Sequence, residues 1–363
     1  MRGPAFRGTW KLHTHRRYAA RVVSGSAPTR RPVAGKAPTL AAVARAAGVS
    51  IATASRALTH SPNVSPQAYQ RVCAAAHDLG YRRHRAQFGR SVERIRAVAM
   101  LIHAPYERIY GDPFYPRLIA AAEAELAERD VPLLVTGVTA ANLTGLGRLL
   151  GRGGLDAVII VADHGPFPLS TSVATRGLPV AVVGRPLRPC HVPYVDADNI
   201  GGARAAVEHL VATGRRAIGH VAGPPDTAGG ADRLAGYRAA LRDAGLAVLP
   251  VAYGDWGQAA AAHAMGRLLD QRPRLDAVFV ASDAMAAGAL HMLRRAGRRV
   301  PDDVALVGFD DDAIARAVRP ALTTVRQPVE QFGTIAVRSL LGTLRGDPAA
   351  TVLPTTLIRR QSA

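Results

Sequence analysis

From Arg96 to the C-terminus, short apolar runs alternate with stretches of helical periodicity, such as residues 116–129 and 143–150. The runs have the length of buried strands rather than of buried helices. Strand, helix and strand in this order predict parallel strands with helices on both faces, an α/β fold. Because the units are too many for one sheet, we expect a doubly wound domain of two lobes. The predicted strands are residues 97–102, 131–135, 157–161, 180–183, 217–221, 277–280, 304–307 and a last one near 352–359.

The positive charge of the chain is concentrated at its N-terminal end. The sequence holds 46 Lys and Arg against 27 Asp and Glu, and residues 1–94 hold 17 of the cations against Asp78 and Glu93, a net charge of +15. The remaining residues hold 29 cations and 25 acids, a net charge of +4. This asymmetry predicts an N-terminal module that binds a polyanion. A membrane surface is the weaker alternative, since residues 1–36 lack the broad apolar helix face it requires.

Cysteine usage and apolar runs indicate the compartment. Cys73 and Cys190 lie far apart and belong to no CxxC or Cys/His cluster, which favours a reducing compartment. The pair Arg16 and Arg17 could begin an export signal, but Arg21 interrupts the apolar stretch that a signal requires. No apolar run approaches the ~18 residues of a membrane span. We therefore expect a cytoplasmic protein.

Residues 39–58 have the pattern of two short helices joined by a tight turn. Thr39 and Ser50 are suited to cap the two helices, and Gly48 permits the positive φ of the turn between them. Ser65, followed by a proline, predicts the start of a third helix. These signals are typical of a helix-turn-helix.

The motif AxxAGVSxxTxSR at residues 44–56, followed by VS at 64–65 and LGY at 79–81, resembles the DNA-binding domain of the lactose/galactose repressor (LacI/GalR) family. In that family the second helix enters the major groove of double-stranded DNA. A single headpiece reads few base pairs, so the resemblance implies a homodimer, or a higher oligomer, on a near-palindromic operator.

The resemblance also implies DNA contacts for individual residues. Ile51, Ala52 and Arg56 are expected to face base edges, and Arg56 can make a bidentate contact to guanine. Phosphate contacts are expected from further polar residues, and those with hydroxyl groups could instead only cap helices. These candidates are Thr39, Ser50, Thr53, Ser55, Thr59, Asn63, Ser65 and Tyr81.

The segment after the headpiece departs from the family pattern. The family continues with a Tyr-x-Pro-Asn stretch and a hinge helix whose leucine wedges into the minor groove. This chain has Arg83, His84 and Arg90 in place of the proline, the asparagine and the leucine. Arg90 can enter the minor groove electrostatically, and Phe88 or Val92 could act as the apolar wedge. Phe88 and Arg90 are therefore DNA-binding candidates, and intercalation stays an open question.

The remainder of the chain resembles the effector domain of the same family, which is similar to periplasmic sugar-binding proteins. Several of the shared motifs follow a predicted strand, where open α/β sheets place their ligand crevice. The resemblance implies a small-molecule effector, a sugar or related polyol. The motifs are PFY at 113–115, VDADN at 195–199, RLAGY at 233–237, GDW at 254–256, SDAM at 282–285, VGFDD at 307–311 and LTTVRQP at 322–328.

A polyol requires hydrogen-bond acceptors, forked donors and an apolar plate beneath its ring. Asp310 and Arg233 have the required polar groups, and Trp256 and Phe114 have the apolar surface. Alternatively, Asp310 caps a helix, Arg233 forms a surface ion pair and Trp256 only packs. The residues that the resemblance implies as effector contacts are Phe114, Tyr115, Arg185, Arg233, Trp256, Asp283 and Asp310.

The predicted architecture combines an N-terminal all-α helix-turn-helix headpiece with a two-lobed, doubly wound parallel-sheet effector domain. The chain is expected to cross three times between the lobes. The expected ranges are 1–37 for a disordered basic arm, 38–80 for the headpiece, 81–95 for the hinge, 96–194 and 326–350 for the first lobe, and 195–325 and 351–363 for the second.

No pattern in the sequence indicates catalysis. Walker, GxSxG and HExxH motifs are absent, and residues 310–312 lack the glycine and distal glutamate of a calcium loop. We expect no metal, no cofactor and no enzymatic activity. The predicted function is a transcriptional repressor whose operator affinity depends on an effector. The alternatives are a periplasmic-type sugar-binding protein, which the headpiece opposes, and a sugar-modifying enzyme, which would need catalytic residues.

Overall fold

The computed structural model describes residues 39–58, 64–79, 81, 95–139, 141–142, 145–146, 150, 155–162, 164, 169–174, 178–187, 192–343 and 350–363. The predicted arm, residues 82–94 of the predicted hinge and most of the predicted helix at 143–150 lie outside these residues.

Three helices form the N-terminal headpiece: α1 (Leu40–Ala46), α2 (Ile51–Ala57) and α3 (Pro66–Asp78). Thr39 and Ser50 cap α1 and α2, and each side chain accepts a hydrogen bond from a backbone N–H of the first turn. Gly48 has a φ of 64°, so the turn uses a conformation that glycine adopts without strain. A small apolar core, which includes Val43, Ala54 and Val72, joins the three helices.

The first lobe is built on six parallel strands in the order β11-β5-β4-β3-β1-β2. In the strand Val98–Ile102, alternate residues face opposite sides of this sheet. Val98, Met100 and Ile102 belong to the same core as the helices Phe114–Ala127 and Val329–Thr343. Ala99 and Leu101 belong to the core that includes the helix Leu169–Ala174. The elements are β1 (Val98–Ile102), α4 (Tyr106–Gly111), α5 (Phe114–Ala127), β2 (Leu133–Gly137), β3 (Ala157–Val161), α6 (Leu169–Ala174), β4 (Val180–Val183), β5 (Tyr194–Ala197), α12 (Val329–Thr343) and β11 (Ala350–Leu353).

The second lobe repeats this arrangement in the order β12-β10-β9-β8-β6-β7, with β12 antiparallel to β10 and the other pairs parallel. Apolar cores again cover both faces of the sheet. The predicted α/β fold is confirmed. The elements are α7 (Asn199–Ala212), β6 (Ile218–Ala222), α8 (Ala228–Asp243), β7 (Val251–Tyr253), α9 (Gln258–Gln271), β8 (Ala277–Val280), α10 (Asp283–Arg295), β9 (Ala305–Asp310), α11 (Ala313–Ala317), β10 (Thr323–Arg326) and β12 (Thr356–Ile358).

Two of the predicted lobe limits differ from the sheets by a few residues. The second lobe was expected to begin at about residue 195, and β5 continues to Ala197 in the first sheet. The single strand expected near 352–359 is two strands, because Pro354 cannot donate a ladder hydrogen bond. Of the two, β11 pairs with β5 in the first sheet and β12 with β10 in the second. The chain thus crosses between the sheets after β5, β10 and β11.

Candidate DNA-binding helix and ligand cleft

Helix α2 presents the side chains predicted to read bases. Ala54 and Ala57 are buried against the other headpiece helices, so the opposite face of α2 is exposed. Ile51 is 55% exposed, and Ala52 and Arg56 lie on the same open side. The Arg56 Nε donates to the carbonyl oxygen of Ala52 at 3.3 Å, which holds the guanidinium along its own helix. This face has the shape and charge of a recognition helix.

The hydroxyl groups predicted at phosphates make capping hydrogen bonds. Thr39 Oγ1 accepts from the N–H of Ala42 at 3.2 Å, Ser50 Oγ from Thr53 at 3.0 Å and Ser65 Oγ from Ala68 at 3.3 Å. Capping leaves the hydroxyl protons of Thr39 and Ser65 for a phosphate, so both roles are compatible for these two residues. Ser50 Oγ also shares a hydrogen bond with the predicted phosphate contact Thr53, whose Oγ1 lies 2.8 Å away. Ser55 and Tyr81 are half-buried. The candidates outside the described residues are Thr59, Asn63, Phe88 and Arg90, together with Arg83 and His84 of the atypical hinge.

A cleft of about 810 Å³, including its open mouth, lies between the two lobes at the carboxyl ends of their strands. This is the position at which open α/β sheets bind ligands. Six of the seven predicted effector contacts line this cleft: Phe114, Tyr115, Arg185, Arg233, Trp256 and Asp310.

An ion pair lies at the bottom of the cleft. Arg233 on α8 and Asp310 at the end of β9 are 6% and 7% exposed, and Arg233 Nη1 lies 3.3 Å from Asp310 Oδ1. Gln327 Nε2 donates to the same oxygen at 2.6 Å, and Asn199 Oδ1 accepts from Arg233 Nε at 2.9 Å. Burial lowers the pKa of Arg233 and raises that of Asp310, and the attraction between the two charges opposes both shifts. The pair is neither a surface ion pair nor a helix cap, since α11 begins after Asp312.

The hydrogen bonds of this pair leave two atoms for a ligand. Arg233 uses Nε and Nη1, the latter also donating to the Ala281 carbonyl oxygen, and Asp310 accepts through Oδ1. Within the described part of the chain, Arg233 Nη2 and Asp310 Oδ2 have no hydrogen-bond partner. A donor beside an acceptor matches two neighbouring hydroxyl groups of a polyol.

Trp256 forms an aromatic wall of the cleft. Its ring lies 5.5 Å from the Arg233 guanidinium and 5.9 Å from that of Arg108, which reaches across from α4 in the first lobe. The ring packs over Gly223, where a Cβ would come within 2.4 Å of it. Trp256 has a φ of 74°, and Asp310 one of 115°, which bulky or branched residues rarely adopt. Such strained conformations cluster at ligand-binding sites.

Arg185 bridges the lobes in this structure. Its backbone N–H donates to Asp196 Oδ2 at 2.8 Å, and its guanidinium donates to both carboxylate oxygens of Asp232 at 2.7 and 2.9 Å. Asp232 belongs to α8 of the second lobe. The predicted effector contact is therefore also an ion pair across the cleft, in which Nε and Nη2 of the guanidinium already donate to Asp232.

Asp283 does not line the cleft, which corrects its prediction as an effector contact. Its side chain is fully buried, where Oδ1 accepts from Thr324 Oγ1 at 2.6 Å and Oδ2 from the N–H of Asp312 at 3.0 Å. Gly308 leaves room for this carboxylate, and burial raises its pKa to about 8. The preceding residue, Ser282, lines the cleft instead.

Sequence reasoning missed several polar residues of the cleft. Asn199 and Gln327 lie in the VDADN and LTTVRQP motifs and could have been found there. Arg108 belongs to no motif, yet its Nη1 donates to the Asp255 carbonyl oxygen at 3.1 Å and its buried Nε has no partner among the described residues. Asp112 also lines the cleft, and burial raises its pKa.

Comparison with known proteins supports both parts of the chain. Residues 39–84 match the family model described as bacterial regulatory proteins, lacI family, and residues 207–363 match the periplasmic binding protein-like domain. The HTH-type transcriptional regulator CelR of Thermobifida fusca is 39% identical over 324 residues, which are 87% of this chain and 95% of that protein. The chain belongs to the LacI family. This membership confirms the predicted function, a DNA-binding transcriptional regulator. It favours that function over a periplasmic-type sugar-binding protein and over a sugar-modifying enzyme.

Two further comparisons agree with this membership. The HTH-type transcriptional repressor CytR of Escherichia coli (strain K12) is 34% identical over 306 residues, 83% of this LacI-family chain and 88% of that protein. The solved structure of a CelR–cellobiose complex is 38% identical, with a TM-score of 0.75 over 90% of this chain and 100% of that one.

The described residues also bear on membrane insertion and metal binding. In that part of the chain, no helix is both long enough and apolar enough to cross a bilayer. The same residues contain no group of three or more His, Cys, Asp or Glu side chains placed to hold a metal ion.

Proposed function

We propose that this LacI-family chain is a cytoplasmic, homodimeric repressor whose affinity for a near-palindromic operator changes when a sugar binds between its lobes. The observation that carries the proposal is the Arg233–Asp310 pair beside Trp256, in a cleft of a chain that also has an exposed recognition helix. We propose residues 38–80 as the DNA-binding headpiece, residues 81–95 as the hinge, and no enzymatic role.

The chemistry of the cleft supports a sugar as effector. Arg233 Nη2 and Asp310 Oδ2 form a donor–acceptor pair, and the Trp256 ring can lie against the apolar face of a pyranose. Phe114 and Tyr115 add aromatic surface from the first lobe. Their ring centres are 5.4 Å apart in an edge-on arrangement. Cellobiose, the ligand of the related CelR complex, is the probe that we would test first.

An exposed sheet edge supports the homodimer. Strand β2 lies at the edge of the first sheet, and Leu134 and Val135 on it are 52% and 36% exposed. Apolar edge strands are normally covered, because their open backbone groups and side chains promote association. A second copy of the chain would cover this edge and place two headpieces on the two halves of an operator.

We expect DNA binding by the full-length chain to depend strongly on salt, because +15 of its net charge of +19 lies in residues 1–94. With about 6–10 phosphate contacts, the affinity should fall by about 10³–10⁵-fold between about 50 and 200 mM salt. Fluorescence anisotropy with labelled duplex DNA measures this slope, and cellobiose binding by the same protein is the control, since a neutral ligand releases no counterions. Affinity for DNA that does not change with salt would contradict the proposed headpiece.

A further inference from the structure

Residues 310–312 connect β9 to α11, and the first of them, Asp310, lines the ligand cleft. Asp310 and Asp311 both have left-handed backbone conformations, with φ of 115° and 56°. Such conformations are strained, and they persist only where the surrounding structure holds them in place. The cleft-facing carboxylate of Asp310 therefore depends on the contacts of the two residues that follow it.

Asp311 is held within the second lobe. Its carboxylate accepts from Arg326 Nε at 2.7 Å and from Arg316 Nη1 at 3.4 Å, and it also pairs with Arg360. These arginines lie on α11, at the end of β10 and after β12. Asp311 thus anchors the loop to the lobe that already carries it.

Asp312 is held from the other lobe. Its side chain is 1% exposed, and its Oδ1 accepts from Arg117 Nη1 on α5 at 2.9 Å. Its Oδ2 is buried and has no hydrogen-bond partner among the described residues. Within that part of the chain, Arg117 is consequently the donor that compensates this carboxylate, and a buried carboxylate without such a donor is costly.

Arg117 is itself fixed to the first lobe. Its Nε and Nη2 donate to the two oxygens of Glu330 on α12 at 2.8 and 3.1 Å. Helices α5 and α12 contact each other extensively, so the guanidinium has a rigid base. The Arg117 guanidinium therefore joins α12 of the first lobe to the loop that presents Asp310. Helix α12 follows the second crossing of the chain between the lobes.

We infer that Arg117 is a positioning residue, which couples the relative position of the lobes to the ligand-binding conformation of residues 310–312. The inference rests on the proposed effector site and adds the route by which the first lobe senses it. When the lobes move apart, Asp312 loses its hydrogen bond to Arg117, and the strained loop loses its anchor in the first lobe. When the lobes approach, Arg117 donates to Asp312 again and the loop regains this anchor.

The first test needs no ligand. Trp256 is one of two tryptophans, so Trp10→Phe makes it a single fluorescent reporter of the cleft. In this background, we expect Arg117→Gln and Asp312→Asn to increase acrylamide quenching of Trp256, because the lobes separate more often. Arg338→Gln is the matched control, since it removes an arginine–carboxylate pair with Glu125 that joins the same two helices within the first lobe. Quenching equal to that of the control in both variants would overturn the inference.

The second test uses cellobiose. Arg117→Gln should bind it about tenfold more weakly, Arg117→Lys should recover part of the loss, and Arg338→Gln should bind as wild type does. In a double-mutant cycle, the Arg117→Gln and Asp312→Asn losses should not add, because either substitution removes the charge of one partner and so abolishes the same ion pair. Additive losses, or a loss equal to that of the control, would contradict the coupling. A wild-type protein that binds no cellobiose contradicts the sugar proposal, and the quenching test still decides the role of Arg117.

Discussion

Asp310→Asn is expected to remove the response of the protein to its sugar effector while leaving operator binding intact. The amide oxygen can replace Oδ1, which accepts from Arg233 and Gln327, so the amide nitrogen takes the place of the cleft-facing Oδ2. A charged acceptor becomes a neutral donor at the point where a sugar hydroxyl would donate. Loss of such a charge-assisted hydrogen bond costs about 1.5–3 kcal/mol, which is about 10- to 100-fold in affinity.

Alanine at this position would be a poorer test. It would leave the Arg233 guanidinium buried without its counter-charge, a change that typically costs about 3–5 kcal/mol of stability. The asparagine variant keeps the shape of the side chain, and melting temperatures recorded alongside the titrations separate folding from recognition.

The matched control is Asp276→Asn at the opposite end of the same sheet. Asp276 precedes β8 and accepts from the backbone N–H groups of Arg216 and Ala217 at 2.8 and 3.0 Å, far along the strands from the cleft. Calorimetric titration with cellobiose measures sugar binding. Electrophoretic mobility shifts of the operator, with and without cellobiose, measure operator binding and its response to the sugar. An Asp310→Asn protein that responds at the wild-type sugar concentration would show that Asp310 is not an effector contact.

Arg56→Ala is expected to lower affinity for a selected operator far more than affinity for random DNA. Arg56 lies on the exposed face of α2, and a bidentate contact to a base is worth about 1–3 kcal/mol of discrimination, about 5- to 150-fold. The operator would be selected from a random duplex pool with the wild-type protein, and anisotropy would give both affinities at one salt concentration.

Arg45→Ala is the control for charge alone. Arg45 is exposed in the last turn of α1, so its loss removes the same charge from the neighbouring helix. It should weaken binding to both DNAs by similar factors, as the loss of a phosphate contact does. If Arg56→Ala behaves in the same way, Arg56 contacts phosphate and other residues of α2 read the bases.

Local chemistry made the headpiece and the strands predictable. The caps Thr39 and Ser50, the turn at Gly48 and the apolar alternation of residues 97–102 act over a few neighbouring residues. Their structural consequences therefore appear in any window of the sequence that contains them. The position of the cleft followed from the same reasoning, because parallel strands end at one edge of a sheet.

Long-range contacts decided the features that the local sequence patterns did not predict. The sequence by itself determined the helix-turn-helix and the α/β class, since those depend on local patterns, and its resemblance to the LacI/GalR family indicated six residues that line the cleft. Only the tertiary structure turned Asp283 away from the cleft, divided the last strand between two sheets at Pro354, and brought Arg117 to Asp312. Each of these contacts joins residues that are distant in sequence, and its free energy exists only in the packed tertiary structure, so no local pattern encodes it.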